Sequence, residues 1–148
     1  MYTVNVDWKG KMRFDGTDAD GRVVAMDASA VYGGHNEGVR PMELMLISLA
    51  GCTAIEVCHA MNKMRLPYDS FAVHVEADRR EEIPQVFTVI RVHYIVTGEA
   101  LSLEKFRKAF ELGAVKYCSV ANMVKKACEV VYAFSVNGER HEYGRPEA

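Results

Sequence analysis

The apolar pattern of this chain predicts an α+β fold in which antiparallel sheets pack around a long, buried central helix. Three observations predict it. Near the start, and again around residue 80, apolar and polar residues alternate with the period of a half-buried strand. Between these stretches, from Met42 to Met64, runs a segment rich in Leu, Met, Ala and Ile that is long enough for six turns of helix. Beyond the second stretch, helical spacing returns before one last alternating run. The order is strands, long helix, strand pair, two helices, strand.

The elements follow in turn. Tyr2, Val4, Val6 and Trp8 alternate with polar residues and predict a first strand. Lys9-Gly10-Lys11 signals a turn. Met12 and Phe14 resume the alternation in a second strand. Thr17 to Gly21 turns the chain again, and Arg22 to Asp27 reads as a third strand, completing a small antiparallel meander. Tyr32 to Gly38 is a loop. Pro41 suits the first turn of a helix, where its missing N–H would be unpaired anyway. The helix over 42–64 is apolar on every side in its first half and so belongs in an interior. Glu56, His59, Asn62 and Lys63 restore a polar face, and Pro67 marks the end. At about 1.5 Å per residue this rod is roughly 35 Å long.

Phe71, Val73, Val75 and Ala77 share one face of the next strand. Asp78 to Pro84 is a charged turn, and Val86, Thr88, Ile90, Val92, Tyr94 and Val96 share one face of the hairpin partner. Ser102 is a helix N-cap, with Lys105 three residues later. Leu103, Phe106, Phe110 and Gly113 keep helical spacing, and a short second helix runs from Ser119 to Ala127. Cys128, Val130, Tyr132, Phe134 and Val136 alternate as a last strand, ended by Asn137-Gly138. The tail from Glu139 to Ala148 is polar and reads as loosely held. Residues 1–148 together read as a single domain.

Composition narrows the function classes. The chain has 148 residues, 49% hydrophobic and 26% charged, with a formal net charge of −2. These values suit a soluble globular protein that needs no disulfide staples. Lys and Arg are scattered, which argues against a nucleic-acid partner. The longest uncharged apolar stretch, Leu44 to Ile55, is too short to span a bilayer, which needs roughly 20 residues. Met1 to Trp8 lacks a basic start followed by an apolar run, so no secretory signal is predicted and the expected location is cytoplasmic. In that compartment Cys52, Cys58, Cys118 and Cys128 are not expected to form structural disulfides, and their spacing matches no CxxC pair or zinc-finger pattern.

Cys52 sits mid-helix in Ser48-Leu-Ala-Gly-Cys52-Thr53. A lone cysteine there commonly packs as a small hydrophobe. The preceding Gly51 is costly in a helix interior, which suggests that another helix or a substrate approaches the backbone at this point. Cys118 lies at the predicted start of a helix, where unpaired N–H groups would favour the thiolate and lower its pKa. Cys58 is about 120° around the helix from Cys52 and reads as a core or interface residue. Cys128 belongs to the apolar face of the last strand. Arg40 and Glu43 open the long helix. A guanidinium held by Glu43 would help to keep Cys52 ionised for attack on a peroxide. Glu43 and Cys52 are some 14 Å apart along the axis, so Arg40 would have to fold back or come from a second subunit. His35, His59, His74, His93 and His141 show neither metal-ligand nor triad spacing and read as surface or loop residues. No metal site is expected.

The run Arg40-Pro-Met-Glu-Leu-Met-Leu-Ile-Ser-Leu-Ala-Gly-Cys52-Thr, with Lys116-Tyr-Cys118-Ser-Val, resembles the OsmC/Ohr family of osmotically induced and organic hydroperoxide resistance proteins. The resemblance extends from the first strands to about Asn137. It implies an intertwined homodimer with two active sites at the subunit interface, and thiol-dependent reduction of organic hydroperoxides in oxidative-stress defence. It assigns the attacking thiol to Cys52 and the resolving thiol to Cys118, linked in a disulfide after Cys52 is oxidised to a sulfenic acid. A dithiol reductant of the lipoyl type would restore both thiols, with no metal or organic cofactor. In the hydroperoxide resistance branch an arginine lies in the turn after the first strand, where this chain has Lys9-Gly10-Lys11. That branch also has its glutamate directly after the proline, where this chain has Met42. The Arg-Pro-Met-Glu-Leu form is similar to a less characterised OsmC-like branch. Two other readings compete with a peroxidase: a binding protein for small hydrophobic molecules, and a redox sensor with little turnover.

Overall fold

The computed structural model describes residues 1–144. Two compact units divide it, Met1–Leu46 and Ile47–Ala148.

The N-terminal unit is the expected meander. β1 (Val4–Trp8), β2 (Phe14–Asp18) and β3 (Val23–Met26) form an antiparallel sheet in that order. Lys11 adopts a left-handed backbone in the first turn, after Gly10 at φ 106°. The loop after β3 is organised by Asp27, which is 3% exposed. Its carboxylate accepts from the backbone N–H groups of Ala28, His35 and Glu37. The bonds from His35 and Glu37 hold its pKa below the usual carboxylate range. The alternation of β1 does not half-bury it: Val4, Val6 and Trp8 are all exposed in the single chain.

Helix α1 runs over Pro41–Lys63, as the sequence predicts to within a residue. It is long and apolar enough to cross a membrane by composition alone. Here it buries one stripe, Leu49, Thr53, Val57 and Met61, at steps of four residues. Ile47 and Ile55 stay exposed, so one chain covers only part of a helix that is apolar all round.

The C-terminal unit carries the larger sheet. Its strands are β4 (Ser70–Arg79), β5 (Phe87–Thr97), β6 (Glu129–Val136) and β7 (Glu139–Tyr143), in that order. The β4–β5 hairpin is antiparallel, with an irregularity at Asp78/Arg79. That shift turns Phe87 inward and leaves Val86 and Thr88 exposed, against the expected face. From Ile90 to Val96 the expected face is buried. The central pair, β5 and β6, is parallel, a departure from an all-antiparallel sheet. The helical crossover between these strands is long enough to return the chain in the same direction. Residues 139–143, expected in a loose tail, pair with β6 as β7. Their polarity is that of an edge strand. The last four residues of that tail lie outside the described residues.

The crossover begins with α2 (Leu103–Phe110), capped by Ser102, whose side chain accepts from Lys105 N at 3.4 Å. It continues as a π-helical segment, Glu111–Tyr117, and ends in α3 (Ser119–Val124). Beneath it lies an aromatic cluster. Phe110 meets Tyr94 at 5.1 Å edge-on, Phe134 at 5.2 Å and Tyr132 at 5.9 Å. Such pairs contribute about 0.5–1.5 kcal/mol each beyond the burial of their area.

Candidate functional site

The π-helical segment determines where Cys118 sits. Its wider turn closes with Cys118 N–H donating to Gly113 O at 3.1 Å, an i to i−5 bond. Gly113 presses directly on α1. A Cβ added there would lie 2.6 Å from Val57 Cα and 2.7 Å from the carbonyl carbon of Glu56, so only glycine lets the crossover come this close to the helix. The sequence reading gave close backbone approach to Gly51, which has nothing within 4 Å among the described residues.

The approach brings Cys118 onto Cys52. The Cys118 thiol donates to Cys52 Sγ at 2.9 Å. Cys118 is fully buried and Cys52 half-buried, and both are reduced. Cys118 is the N-cap residue of α3, with Sγ accepting from Ala121 N–H at 3.3 Å. That contact favours the thiolate, as expected from sequence, but it does not prevail. Burial first, and the bond to Cys52 second, push the Cys118 thiol up to about 11.

The remaining cysteines stand apart from the pair. Cys58 Sγ is 3.1 Å from the Tyr68 hydroxyl and accepts from Asn62 at 3.7 Å. Cys128 Sγ lies 3.8 Å from Val124 O, and burial pushes its thiol up. Arg40 and Glu43 pair with each other at 3.4 Å, and Arg40 also donates to Asn36 Oδ1 at 2.9 Å. Both belong to the N-terminal unit, whereas the thiols belong to the C-terminal one. Not all five histidines are surface residues. His93 is half-buried, with Nε2 2.8 Å from Ser135 Oγ, and burial lowers its pKa. His141 stacks on Phe134 at 5.3 Å. Among the described residues no three His, Cys, Asp or Glu side chains form a metal-binding group.

Three residues near the thiols were missed in the sequence. Tyr94 and Tyr132 read there as strand-face aromatics, yet both hydroxyls are buried without a full hydrogen bond among the described residues, Tyr94 lying beside Thr53. Burial drives both phenols far above their usual range, and the Cys118 charge bears on each. Lys125 read as one of the scattered cations. Its Nζ donates to Val115 O at 3.2 Å and lies 5.0 Å from the Tyr132 ring centroid. Only the fold shows that Tyr94, Tyr132 and Lys125 lie together, with the Tyr94 and Tyr132 rings 6.4 Å apart and Lys125 over the latter.

An α+β chain that sets a buried thiol against a second thiol on a long helix is a paired-thiol protein. This chain belongs to the OsmC-like protein family, whose family model matches residues 34–133. It is 36% identical over 131 residues to Protein YhfA of Escherichia coli K12, covering 88% of this chain and 95% of that protein. Among solved structures it is similar to a hypothetical protein from Aquifex aeolicus, at TM-score 0.81 and 24% identity, covering 93% and 96% of the two chains. It also shares its fold with an organic hydroperoxide resistance protein from Legionella pneumophila. There the TM-score is 0.69 and the identity 18%, over 92% and 98% of the chains.

Proposed function

We propose that this protein is a thiol-dependent peroxidase that reduces organic hydroperoxides through Cys52 and Cys118, in oxidative-stress defence. The observation that carries this reading is the 2.9 Å separation of the two sulfur atoms. In the first step the Cys52 thiolate attacks a peroxide oxygen. An S–O bond forms, the O–O bond breaks, and the alkoxide leaves as alcohol after taking up a proton. Cys52 is then a sulfenic acid. In the second step the Cys118 sulfur attacks Cys52 Sγ. The S–S bond forms, and hydroxide leaves as water with the proton that Cys118 gives up. A dithiol of the lipoyl type returns two electrons and two protons by thiol–disulfide exchange.

The half-buried position of Cys52 suits it for meeting the peroxide, and the full burial of Cys118 suits it for meeting only Cys52. Arg40 and Glu43, paired at the start of α1, are proposed as the charge pair that favours Cys52 ionisation, although the hydroperoxide resistance branch carries its arginine and glutamate at other positions. The name of the Legionella relative supports organic hydroperoxides as the substrate class. A homodimer is the proposed assembly. Its support is the bare apolar surface on each unit: Val4, Val6 and Trp8 on β1, Ile47 and Ile55 on α1. The family match crosses the boundary between the units, which supports their working as one domain. The proposed location is cytoplasmic, with no metal, organic cofactor, nucleic acid or membrane partner.

The test is hydroperoxide consumption with a dithiol reductant, using cumene or tert-butyl hydroperoxide. Cys52→Ser is expected to abolish it, and unchanged turnover would sink the reading. A cleft of about 440 Å³ in the N-terminal unit, lined by Val4, Val6, Val24, Met26 and Leu44 among others, supports a second reading, the binding of a small hydrophobic molecule. Native mass spectrometry of the purified protein separates the two. A retained lipid-like mass without peroxidase turnover would favour binding.

A further inference from the structure

Cys118 sits at a junction. Its backbone is extended, at φ −63° and ψ 112°, between the π-helical segment that ends at Tyr117 and α3, which starts at Ser119. The angle of this junction aims the Cys118 side chain, so whatever fixes the angle fixes the reach of the thiol. Asn122 closes it. Its side-chain amide donates to Lys116 O at 3.1 Å, in the last turn of the π-helical segment, and to Cys118 O at 2.9 Å, at the cap of α3. Both partners are carbonyl oxygens, so the NH2 end of the amide must face them. The Asn122 backbone N–H also donates to Cys118 O, at 3.0 Å. Helix ends leave carbonyls without intrahelical donors, and here one side chain serves a carbonyl before the bend and another at it. Asparagine is a poor residue inside a helix. Lys116, six residues back in a different helical segment, is not a partner that α3 itself needs.

We propose that Asn122 is a positioning residue for the resolving thiol, holding the turn over 116–118 so that Cys118 Sγ stays 2.9 Å from Cys52 Sγ while both are reduced. The inference rests on Cys52 and Cys118 being a redox pair. Once the disulfide has formed, the S–S bond itself ties the turn to α1. Before it forms, the thiols share one weak hydrogen bond, and the Asn122 clamp carries the alignment. Losing the clamp therefore loosens the reduced form more than the oxidised one. The disulfide becomes easier to reduce, because closing it must then overcome freedom that the clamp had removed. Two hydrogen bonds to carbonyls, partly exposed to water, support a change of about tenfold. That is about 30 mV for a two-electron couple.

The test is the equilibrium of the pair in buffers of reduced and oxidised glutathione. A glutathione thiolate attacks Cys52 Sγ, which is half-buried. The S–S bond breaks, and Cys118 leaves as a thiolate that takes up a proton. A second glutathione thiolate attacks the glutathione sulfur of the mixed disulfide. Glutathione disulfide forms, and Cys52 leaves as a thiolate that is protonated in turn. The buried Cys118 never has to meet the reagent. After acid quenching, unfolding and alkylation, peptide mass spectrometry counts the reduced and the linked pair. Asn122→Ala and Asn122→Leu remove the donors, and both residues favour helix more than asparagine does. Each is expected to shift the equilibrium about tenfold toward the reduced pair, and Asn122→Gln, which keeps the amide, to stay within about threefold of the parent. An unchanged equilibrium in the Ala and Leu variants would overturn the proposal, whatever their stability in urea. Asn122→Gln shifted as far as Asn122→Leu would overturn it too, by showing that only the shape of the side chain counts. Circular dichroism checks each fold, and should either the Ala or the Leu variant unfold, the other carries the same test. No peroxide enters this assay. A failure of the redox-pair reading shows separately, as a parent protein that yields no Cys52–Cys118 link, and a failure of the peroxidase reading as absent hydroperoxide consumption.

Discussion

Cys118 Sγ donates a hydrogen bond to Cys52 Sγ at 2.9 Å, across 66 residues of sequence. A disulfide needs the sulfur atoms at about 2.05 Å. Less than 1 Å therefore separates the reduced pair from a bond length. In the proposed cycle, a sulfenic acid formed on Cys52 meets its resolving partner already in contact.

That contact makes the intermediate short-lived in the wild type and long-lived without Cys118. One equivalent of hydroperoxide is expected to consume two thiols per chain and to leave a Cys52–Cys118 link in the peptide map. Cys118→Ser should instead accumulate Cys52 sulfenic acid, trapped by dimedone as a single mass addition. A dimedone adduct on Cys58 or Cys128 in place of Cys52 would reassign the attacking thiol.

The high pKa of Cys118 has two consequences with pH. The closing step needs the thiolate, so its rate should rise about tenfold per unit between pH 7 and 10. Stability moves the other way. The folded-state pKa, about 11, stands above the ordinary thiol value of 9.0. Below pH 9 the thiol is protonated in both states, and its contribution to stability is fully present. Above pH 9 the unfolded chain loses the proton first, so stability falls as pH rises toward 11. Tyr94 and Tyr132, both raised by burial, add a loss of the same sign above about pH 10. Urea denaturation from pH 8 to 11 checks this, and Cys118→Ala should reduce the slope between pH 9 and 10.

Most of the architecture was legible because it rests on periodicity. α1, the β4–β5 hairpin, the Ser102 cap and the alternation of Tyr132, Phe134 and Val136 follow from spacing alone. Strand direction did not, because the pattern of β6 is the same whether it lies parallel or antiparallel to β5. The tail pairing of β7 was hidden by its charges, which suit an edge strand as well as a loose end. At the site, both thiols stood out by motif. The Cys118 pKa did not, because a local helix start is visible in sequence and the burial that outweighs it is not. Tyr94, Tyr132 and Lys125 were illegible as site residues for the same reason.

Tyr94 offers a test of the interior. Its hydroxyl is buried beside the Thr53 side chain without a full hydrogen bond among the described residues, and an unsatisfied buried group typically costs about 1–3 kcal/mol. Its ring contributes through Phe110 and Phe71, at 5.1 and 6.4 Å, and Tyr94→Phe keeps the ring. The variant is expected to be more stable by about 1 kcal/mol, with Tm raised by about 2–4 °C. A loss of stability in differential scanning calorimetry would mean that the hydroxyl has a partner in solution.

The two glycines near the thiols should respond in opposite ways to the same substitution. Gly113→Ala places a methyl group against the backbone of Glu56 and Val57, and backbone cannot yield as a side-chain end would. The crossover must lift from α1, opening the contact that holds Cys118 at Cys52. A loss of about 2–3 kcal/mol, in the range of overpacked cores, should accompany slower disulfide formation. Gly51 sits in a helix with nothing within 4 Å of its added Cβ, so within one chain Gly51→Ala should stabilise by about 0.5–1 kcal/mol. In the proposed homodimer a second copy would have to cover the exposed face of α1. If Gly51 lies under that copy, Gly51→Ala should weaken association while leaving the chain folded. Sedimentation equilibrium beside thermal melts distinguishes these results. A more stable variant with unchanged association would place the interface away from Gly51, and a weaker dimer would show that the close approach at this glycine comes from the second subunit.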